Sequence, residues 1–261
     1  MTKFVFVIYS SLKQKCAAGK KQVAWLIDPD KVDDNKILEL VNIANQTHVN
    51  FILVGGSTMI TDKFDDLVLS VKLMAEMPVI LFPGSLLQLS KHADAIFLLS
   101  LISGRNPDLL IGQHVLAANK IRSLKLESIP VGYMLIDGGN STAVSYMSNS
   151  QPIPSHGIEI ALSTALAGEM LGLDMIFLDA GSGAKNCVST SMISSLKKHL
   201  NIPLTVGGGI RTVEKAIGIL KAGADIIVLG NVIENDSLMI NEMMTAVNEL
   251  NYATNSHLQF K

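Results

Sequence analysis

The sequence is poor in the residues that usually mark a metal, disulfide or zinc site. Only two cysteines, Cys16 and Cys187, occur in 261 residues, and their separation fits no metal-binding or redox motif. The six histidines are scattered and form no His-x-x-x-His pair, which argues against zinc. We therefore expect free thiols and a reducing, cytoplasmic location.

Charge and long apolar segments are also scarce. Charged residues make up 17% of the chain, the net charge is -2, and no Lys/Arg run could follow a nucleic-acid backbone. We predict no nucleic-acid partner. The apolar run at residues 4–9 is far shorter than the ~20 residues of a membrane span. The opening, about residues 1–21, is predicted to be a helix.

Short apolar strings are present in number and recur along the whole chain. They are nearly continuous rather than alternating, which is typical of parallel strands buried on both faces. Each opens after a polar stretch, and most end in Gly, Asp or Ser. The eight strings cover residues 23–28, 51–56, 78–84, 95–100, 129–137, 175–181, 202–209 and 225–231.

The segments between the strings have helical periodicity. Asp33 or Asp34 is a predicted N-cap, and Thr212 and Gly223 are predicted to begin and end another helix. The third and fourth strings leave room only for a short helix in "SLLQLSKHAD". Residues 138–154 are predicted to be a long loop, with helix resuming near Ile158.

This alternation predicts an α/β protein, a single (β/α)₈ TIM-barrel domain over residues 1–261 with a frayed tail from about residue 251 to 261. An open doubly wound sheet is the alternative. It is less favoured because no G-x-G-x-x-G follows the first strand.

Glycines cluster where the last three strands end. Gly181 and Gly183 follow the sixth strand, Gly207 to Gly209 the seventh, and Gly230 the eighth. Backbone N–H groups in such loops, backed by a helix N-terminus, can hold a phosphate without a basic side chain. We predict a phosphate monoester site. The alternative is that the glycines only make tight turns.

A second candidate anion site lies at the first two strands. Asp28 ends the first strand and Ser57 follows the second, so both are expected at the barrel mouth. One carboxylate and one hydroxyl suit Mg²⁺, which keeps waters and takes substrate phosphate oxygens as further ligands. Alternatively, Asp28 caps a turn and Ser57 caps a helix.

Six motifs together resemble the geranylgeranylglyceryl phosphate synthase family, whose larger archaeal and bacterial subgroup is indicated by "YMLIDGGNSTAVSYMSN". They are "WLIDPDK", "ILVGGST", "SLISGRNP", "FLDAGSGA", "VGGGIRT" and "VLGNVIE", and the resemblance covers about residues 24–234. It implies a Mg²⁺-dependent TIM-barrel prenyltransferase that joins geranylgeranyl diphosphate, or a similar long-chain diphosphate, to sn-glycerol 1-phosphate. The product is an ether lipid, so at most transient membrane contact is expected, and the family forms homodimers or hexamers.

The resemblance also implies site residues. Asp28 and Ser57 match the magnesium positions. The glycerol 1-phosphate positions are matched by Phe177, Leu178, Asp179, Ala180, Gly181, Ser182, Gly183, Gly208, Gly209, Gly230 and Asn231. Two residues depart from the family pattern, because Phe177 stands where Tyr is common and Asp179 where Glu is common. The missing phenol removes a hydrogen bond worth about 1 kcal/mol.

The expected chemistry assigns Asp179 or Asp28 to orient the glycerol hydroxyls and take the proton. Candidates for an apolar prenyl groove are Phe82, Leu98, Leu99, Leu101, Tyr133 and Tyr146. Two other functions remain open. One is a phosphosugar isomerase using Asp28 and Asp179 as an acid–base pair, and the other is a non-catalytic barrel that binds a phosphorylated ligand.

Overall fold

The structure is a computed structural model that describes residues 7–56, 63–230 and 237–258. The strands are β1 (Gln22–Ile27), β2 (Phe51–Val54), β3 (Val79–Leu81), β4 (Ala95–Leu101), β5 (Glu127–Leu135), β6 (Met175–Asp179), β7 (Leu204–Gly207) and β8 (Ile226–Leu229). The helices are α1 (Val7–Ala17), α2 (Asp34–Thr47), α3 (Phe64–Met74), α4 (Gln113–Leu124), α5 (Ala143–Ser148), α6 (Ile158–Met170), α7 (Thr190–Lys197), α8 (Val213–Ala222) and α9 (Ser237–Leu258). One π-helical turn, Asp108–Gly112, leads directly into α4.

The eight strands form one closed barrel in chain order. All neighbouring strands are parallel, and β1 closes the ring against β8 with Trp25 opposite Leu229. Each strand overlaps one of the eight apolar strings. The (β/α)₈ prediction is therefore confirmed, and the doubly wound alternative is wrong.

Two apolar layers account for the continuous strings. Successive side chains of a strand point to opposite faces. On β1, Ala24 faces the barrel interior, whereas Val23 and Trp25 pack in the layer between strands and helices. Because both layers are buried, a polar side chain at either kind of position would be desolvated.

The N-terminal helix α1 lies at the end of the barrel opposite the mouth. Leu12 packs with the interior side chains of the barrel. The Glu127 carboxylate, at the start of β5, accepts hydrogen bonds from the backbone N–H of Ile8 at 3.0 Å and of Tyr9 at 2.7 Å. The acid thereby satisfies unpaired N–H groups at the start of α1.

The predicted helix caps are present. The Asp33 side chain accepts from the backbone N–H of Lys36 at 2.8 Å, so Asp33 is the N-cap of α2. Thr212 caps α8 in the same way, by accepting from Lys215 N–H. Gly223 ends α8 with a φ of 123°, a value that glycine tolerates best.

The short helix predicted between the third and fourth strands is wrong. Residues 84–94 form turns and bends instead. The buried Gln88 amide forms hydrogen bonds with backbone groups of this loop and of the loop after β2. Its Oε1 accepts from Gly84 and Gly56 N–H, and its Nε2 donates to the Gly56 carbonyl at 2.8 Å. These side-chain bonds replace the hydrogen bonds of a helix.

The long loop predicted over residues 138–154 contains the short helix α5. Thr142 and Ser145 form a reciprocal capping box at its start. Ser145 stands where this motif usually has Glu or Gln, so the local sequence is a weak signal for the helix. Helix resumes at Ile158, as predicted.

The last helix, α9, extends to Leu258 and so includes most of the stretch that was predicted to fray. Within the described ranges, no helix combines the length and apolar character needed to cross a bilayer.

Candidate active site at the barrel mouth

A cavity of about 560 Å³ opens where β1, β2, β6, β7 and β8 end. Its lining combines glycine-rich backbone with the charged side chains of Asp28, Lys31, Asp179 and Arg211. The aromatic rings of Phe82, Tyr133 and Phe177 lie side by side beneath it, with centroids 5.4 to 5.9 Å apart. Its lining includes Asp28, Lys31, Gly56, Asp179, Gly181, Ser182, Gly183, Gly208, Gly209, Arg211 and Gly230.

Glycine is required where the loops after β6 and β7 meet. Gly208 has a φ of +83°, and a Cβ there would lie 2.6 Å from the backbone nitrogen of Gly181. Gly181 has a φ of +93°, and its Cβ would lie 2.4 Å from the Thr142 side chain. The glycines thus bring two backbone segments closer than any side chain would allow. Their N–H groups and the start of α8 form a place for an anion.

Two side chains hold these loops from behind. Arg211 donates to the Ala184 carbonyl at 2.7 Å, which ties the loop after β7 to the loop after β6. The Cys187 thiol donates to the Gly209 carbonyl at 2.9 Å. The backbone that lines the cavity is therefore braced by contacts between loops.

The seven predicted residues of "FLDAGSG", residues 177–183, do not all point the same way. Phe177 is buried beneath the cavity, and Gly181, Ser182 and Gly183 line it. Leu178 and Ala180 pack in the layer between strands and helices and do not line the cavity. The strand alternation of β6 explains this division.

Asp179 is the buried acid of the site, with 8% of its surface exposed. One carboxylate oxygen accepts from Gly181 N–H at 2.7 Å, and the other accepts from the Tyr133 hydroxyl. Burial raises the pKa of Asp179 above its ordinary value, and the two hydrogen bonds oppose that rise. The pKa of Tyr133 is raised well above its ordinary value by burial and by the neighbouring carboxylate.

The contact between Tyr133 and Asp179 bears on the departure of Phe177 from the family pattern. Phe177 replaces a tyrosine common in the family, and the phenol of Tyr133 on the neighbouring strand donates to the acid. In the β5–β6 register, Tyr133 lies directly opposite Phe177. The phenol is therefore present in the site, on β5.

Asp28 lies across the mouth from the glycine loops. Its Oδ1 accepts from Asp30 N–H at 3.2 Å, and its Oδ2 is 2.8 Å from the Lys31 ammonium. Lys31 also donates to Ser182 Oγ at 3.3 Å. A Cβ on Gly56 would lie 2.8 Å from Asp28 Oδ1, so glycine at the end of β2 leaves room for this carboxylate.

Asp28 is the described member of the predicted magnesium pair. Ser57 and Asn231, both predicted site residues, lie outside the described residues. Among the described residues, no group of three or more His, Cys, Asp or Glu side chains could hold a metal ion. The Asp28 carboxylate is nevertheless placed to hold positive charge, because an ammonium already stands beside it. One carboxylate suits an ion whose other ligands are water and substrate oxygens.

A second, apolar cavity of about 590 Å³ adjoins the first and shares Gly56, Phe82, Tyr133 and Val144 with it. Of the predicted groove residues, Phe82, Leu98, Leu99, Leu101 and Tyr133 line this cavity. Tyr146 does not, and its side chain is exposed. The π-helical turn and α4 contribute Leu109, His114, Ala117 and Ile121, which the sequence interpretation missed.

The sequence interpretation also missed the roles of three polar residues. Lys31 and Arg211 were inside the quoted motifs, and a basic residue beside each anion-site motif was the available signal. Tyr133 was predicted only as a groove residue. Its contact with Asp179 joins residues 46 positions apart, so no local pattern indicates it.

The architecture and this mouth place the protein in the class of (β/α)₈ barrels that present a glycine-lined anion cavity after strands six to eight. The chain belongs to the PcrB family, whose family model matches residues 18–250.

Named relatives agree with this assignment. The geranylgeranylglyceryl phosphate synthase of Chitinophaga pinensis is 51% identical over 240 residues, 92% of this chain and 95% of that protein. The synthase of Thermococcus kodakarensis is 43% identical over 210 residues, 80% of this chain and 82% of that protein. The family resemblance predicted from the motifs is therefore confirmed.

A solved structure agrees as well. The chain is similar to (S)-3-O-geranylgeranylglyceryl phosphate synthase from Thermoplasma acidophilum, crystallised with its substrate sn-glycerol-1-phosphate. The TM-score is 0.87 at 32% sequence identity, and the match covers 92% of this chain and 98% of that chain.

Proposed function

We propose that this protein is a geranylgeranylglyceryl phosphate synthase. It transfers a geranylgeranyl or similar long-chain prenyl group from its diphosphate to a hydroxyl of sn-glycerol 1-phosphate. The observation that carries the proposal is the junction of two cavities: a glycine-lined anion site with a buried acid opens directly into an apolar groove. One substrate is a small phosphate and the other combines a diphosphate with a long apolar chain.

Glycerol 1-phosphate fits the glycine wall. The phosphate is held by the backbone around Gly181, Gly183, Gly208 and Gly209, and by the positive end of α8. Its glycerol hydroxyls then extend toward Asp179, which lies under the same wall. These backbone donors orient the phosphate, and Lys31 and Arg211, which line the same cavity, add positive charge.

Asp179 orients the attacking hydroxyl and takes its proton. Burial favours a carboxylate that readily accepts a proton, while Tyr133 and Gly181 N–H hold both of its oxygens in place. Holding the nucleophile beside the allylic carbon lowers the barrier through orientation. Asp28 is the other carboxylate of the cavity, and its partnership with Lys31 assigns it to the diphosphate end.

The diphosphate end lies at Asp28. Asp28, with Ser57, would hold Mg²⁺, which when bound neutralises charge on the leaving diphosphate. Lys31, whose ammonium is 2.8 Å from Asp28 Oδ2, adds one positive charge at this end. The protein's own residues therefore anchor the diphosphate while the apolar chain lies among Phe82, Leu99 and Leu101.

The apolar cavity suits the prenyl chain of the diphosphate substrate. Its wall is mostly aliphatic and aromatic. Burying a prenyl chain there removes apolar surface from water, at about 25 cal/mol per Å². Phosphosugar isomerisation gives no use for such a groove, and passive phosphate binding gives no use for a buried acid beside it. These features favour prenyl transfer over both alternatives.

The test is a product assay with sn-glycerol 1-phosphate, Mg²⁺ and prenyl diphosphates of increasing length. We expect an organic-soluble phosphate ether that is lost with EDTA, with Asp28→Ala and with Asp179→Ala. The Lys36→Met variant is the matched control, because Lys36 pairs with Glu39 on the exposed side of α2. Tight glycerol phosphate binding without product at any chain length would reject the proposal in favour of a phosphosugar enzyme.

The homo-oligomer, the cytoplasmic location and transient membrane contact remain predictions. Light scattering coupled to size-exclusion chromatography distinguishes a dimer from a hexamer.

A further inference from the structure

Lys31 stands between the two anion sites of the mouth. It follows Asp28 by three residues, in a turn in which Lys31 N–H donates to the Asp28 carbonyl at 3.1 Å. Its ammonium is 2.8 Å from Asp28 Oδ2 on one side and 3.3 Å from Ser182 Oγ on the other. The same nitrogen thus joins the loop after β1 to the loop after β6, across residues 151 positions apart.

The position of this ammonium has an electrostatic consequence. A divalent cation that approaches Asp28 meets an ammonium already paired with one carboxylate oxygen. Like charges a few ångströms apart repel, and the repulsion is appreciable even in a partly hydrated site. A metal ion accompanied by a diphosphate carries compensating negative charge, and that charge attracts the ammonium.

We propose that Lys31 is an internal counter-ion that neutralises Asp28 in the free protein and moves onto substrate phosphate oxygens when they arrive. Magnesium consequently enters the site together with the diphosphate and binds poorly without it. Lys31 is a positioning residue for Asp28 and a direct ligand of the diphosphate. This inference rests on the proposed function, because it assumes that Asp28 serves a metal–diphosphate pair.

The position of Lys31 suits this exchange. Its side chain is 38% exposed, so it can change partners without breaking the core. Its second contact, Ser182, belongs to the loop that lines the glycerol phosphate site. From this point the ammonium reaches anions on either side by rotation of its flexible stem, as a lysine does more readily than an arginine.

The experiment measures Mn²⁺ binding by electron paramagnetic resonance, in the absence and presence of inorganic diphosphate. In the Lys31→Met variant without diphosphate, we expect Mn²⁺ to bind about five- to tenfold more tightly than in the native protein, because the repulsion is gone. With Mg²⁺ present, calorimetry should show inorganic diphosphate binding about tenfold more weakly, because a charge-assisted contact is lost. Lys31→Arg should restore diphosphate binding, and Lys36→Met should change neither constant.

The outcomes separate the inference from the proposed function. Equal or weaker Mn²⁺ binding by Lys31→Met, with metal binding intact in the presence of diphosphate, overturns the inference alone. Absence of Mn²⁺ binding in every variant, with and without diphosphate, overturns the inference together with the magnesium role of Asp28. The expected binding pattern without any ether product supports the role of Lys31 and rejects prenyl transfer. Thermal melting of each variant verifies that it is folded.

Discussion

The hydroxyl of Tyr133 can be removed without changing the shape of the site. In Tyr133→Phe the ring keeps its contacts with Phe82 and Phe177, whose centroids lie 5.9 and 5.4 Å away. Only the hydrogen bond to Asp179 disappears. That bond lowers the pKa of Asp179 against the effect of burial, so its loss raises the pKa further.

The size of the effect follows from the nature of the bond. A hydrogen bond to a charged group contributes about 1.5–3 kcal/mol, which corresponds to about a ten- to hundredfold smaller ionised fraction of the acid. If ionised Asp179 takes the proton, kcat/KM on the acidic limb falls by about that factor. The limb moves to higher pH, and the loss shrinks as the pH rises and Asp179 ionises again.

The assay is kcat/KM for prenyl transfer measured across pH 5 to 9 for the native protein and Tyr133→Phe. Tyr252→Phe serves as the control, because Tyr252 is 75% exposed on α9. An unmoved acidic limb, with either no loss or the same loss at every pH, would refute the role assigned to the Tyr133–Asp179 contact.

Three further predictions concern the site and the partly buried thiol of Cys16. Gly208→Ala should weaken glycerol 1-phosphate binding and cost about 1–3 kcal/mol of stability, because its φ is +83°; calorimetry and thermal melting measure both. Asp179→Asn should abolish activity yet raise the melting temperature above pH 7, because burial raises the pKa of the Asp179 carboxyl and ionisation therefore destabilises the fold. The advantage should vanish well below the ordinary carboxyl pKa of 3.8, where native Asp179 is protonated in both states, and grow as pH rises through the folded value. Cys16 should react slowly with iodoacetamide at pH 8, measured by mass spectrometry, because burial raises the pKa of its thiol to about 12.

A specific experimental result would contradict each of these three predictions. Gly218→Ala is the control for Gly208, since a Cβ on this α8 glycine meets nothing within 4 Å, and equal effects of the two changes would discount the loop geometry. A melting temperature of Asp179→Asn that does not gain on the native protein as pH rises would mean that the acid is not destabilised by burial. Rapid alkylation of Cys16 in the folded protein would show that the base of the barrel opens readily.

The sequence alone determined the barrel and the location of its mouth. Eight nearly continuous apolar strings, most of which end in Gly, Asp or Ser, are typical of strands buried on both faces. Parallel strands bring their carboxyl ends to one rim. That rule places Asp28, Asp179 and the glycines of three loops around one cavity. It does not separate Leu178 and Ala180, which face the helix layer, from Asp179 and Gly181, unless the alternation of β6 is applied residue by residue.

Only the tertiary structure decided which side chains act together at that mouth. Tyr133 reaches Asp179 from the neighbouring strand, and Lys31 reaches Ser182 across the cavity. Such pairs depend on barrel closure and strand register, which no local pattern encodes. Gln88 shows the same limit for local structure. The room between the third and fourth strings predicts a short helix there, but the Gln88 amide is held by the loop after β2. The pattern of buried strands repeats along the chain and can therefore be predicted from the sequence. Each hydrogen-bonded pair of side chains occurs only once and depends on contacts between distant segments, so no repeat reveals it.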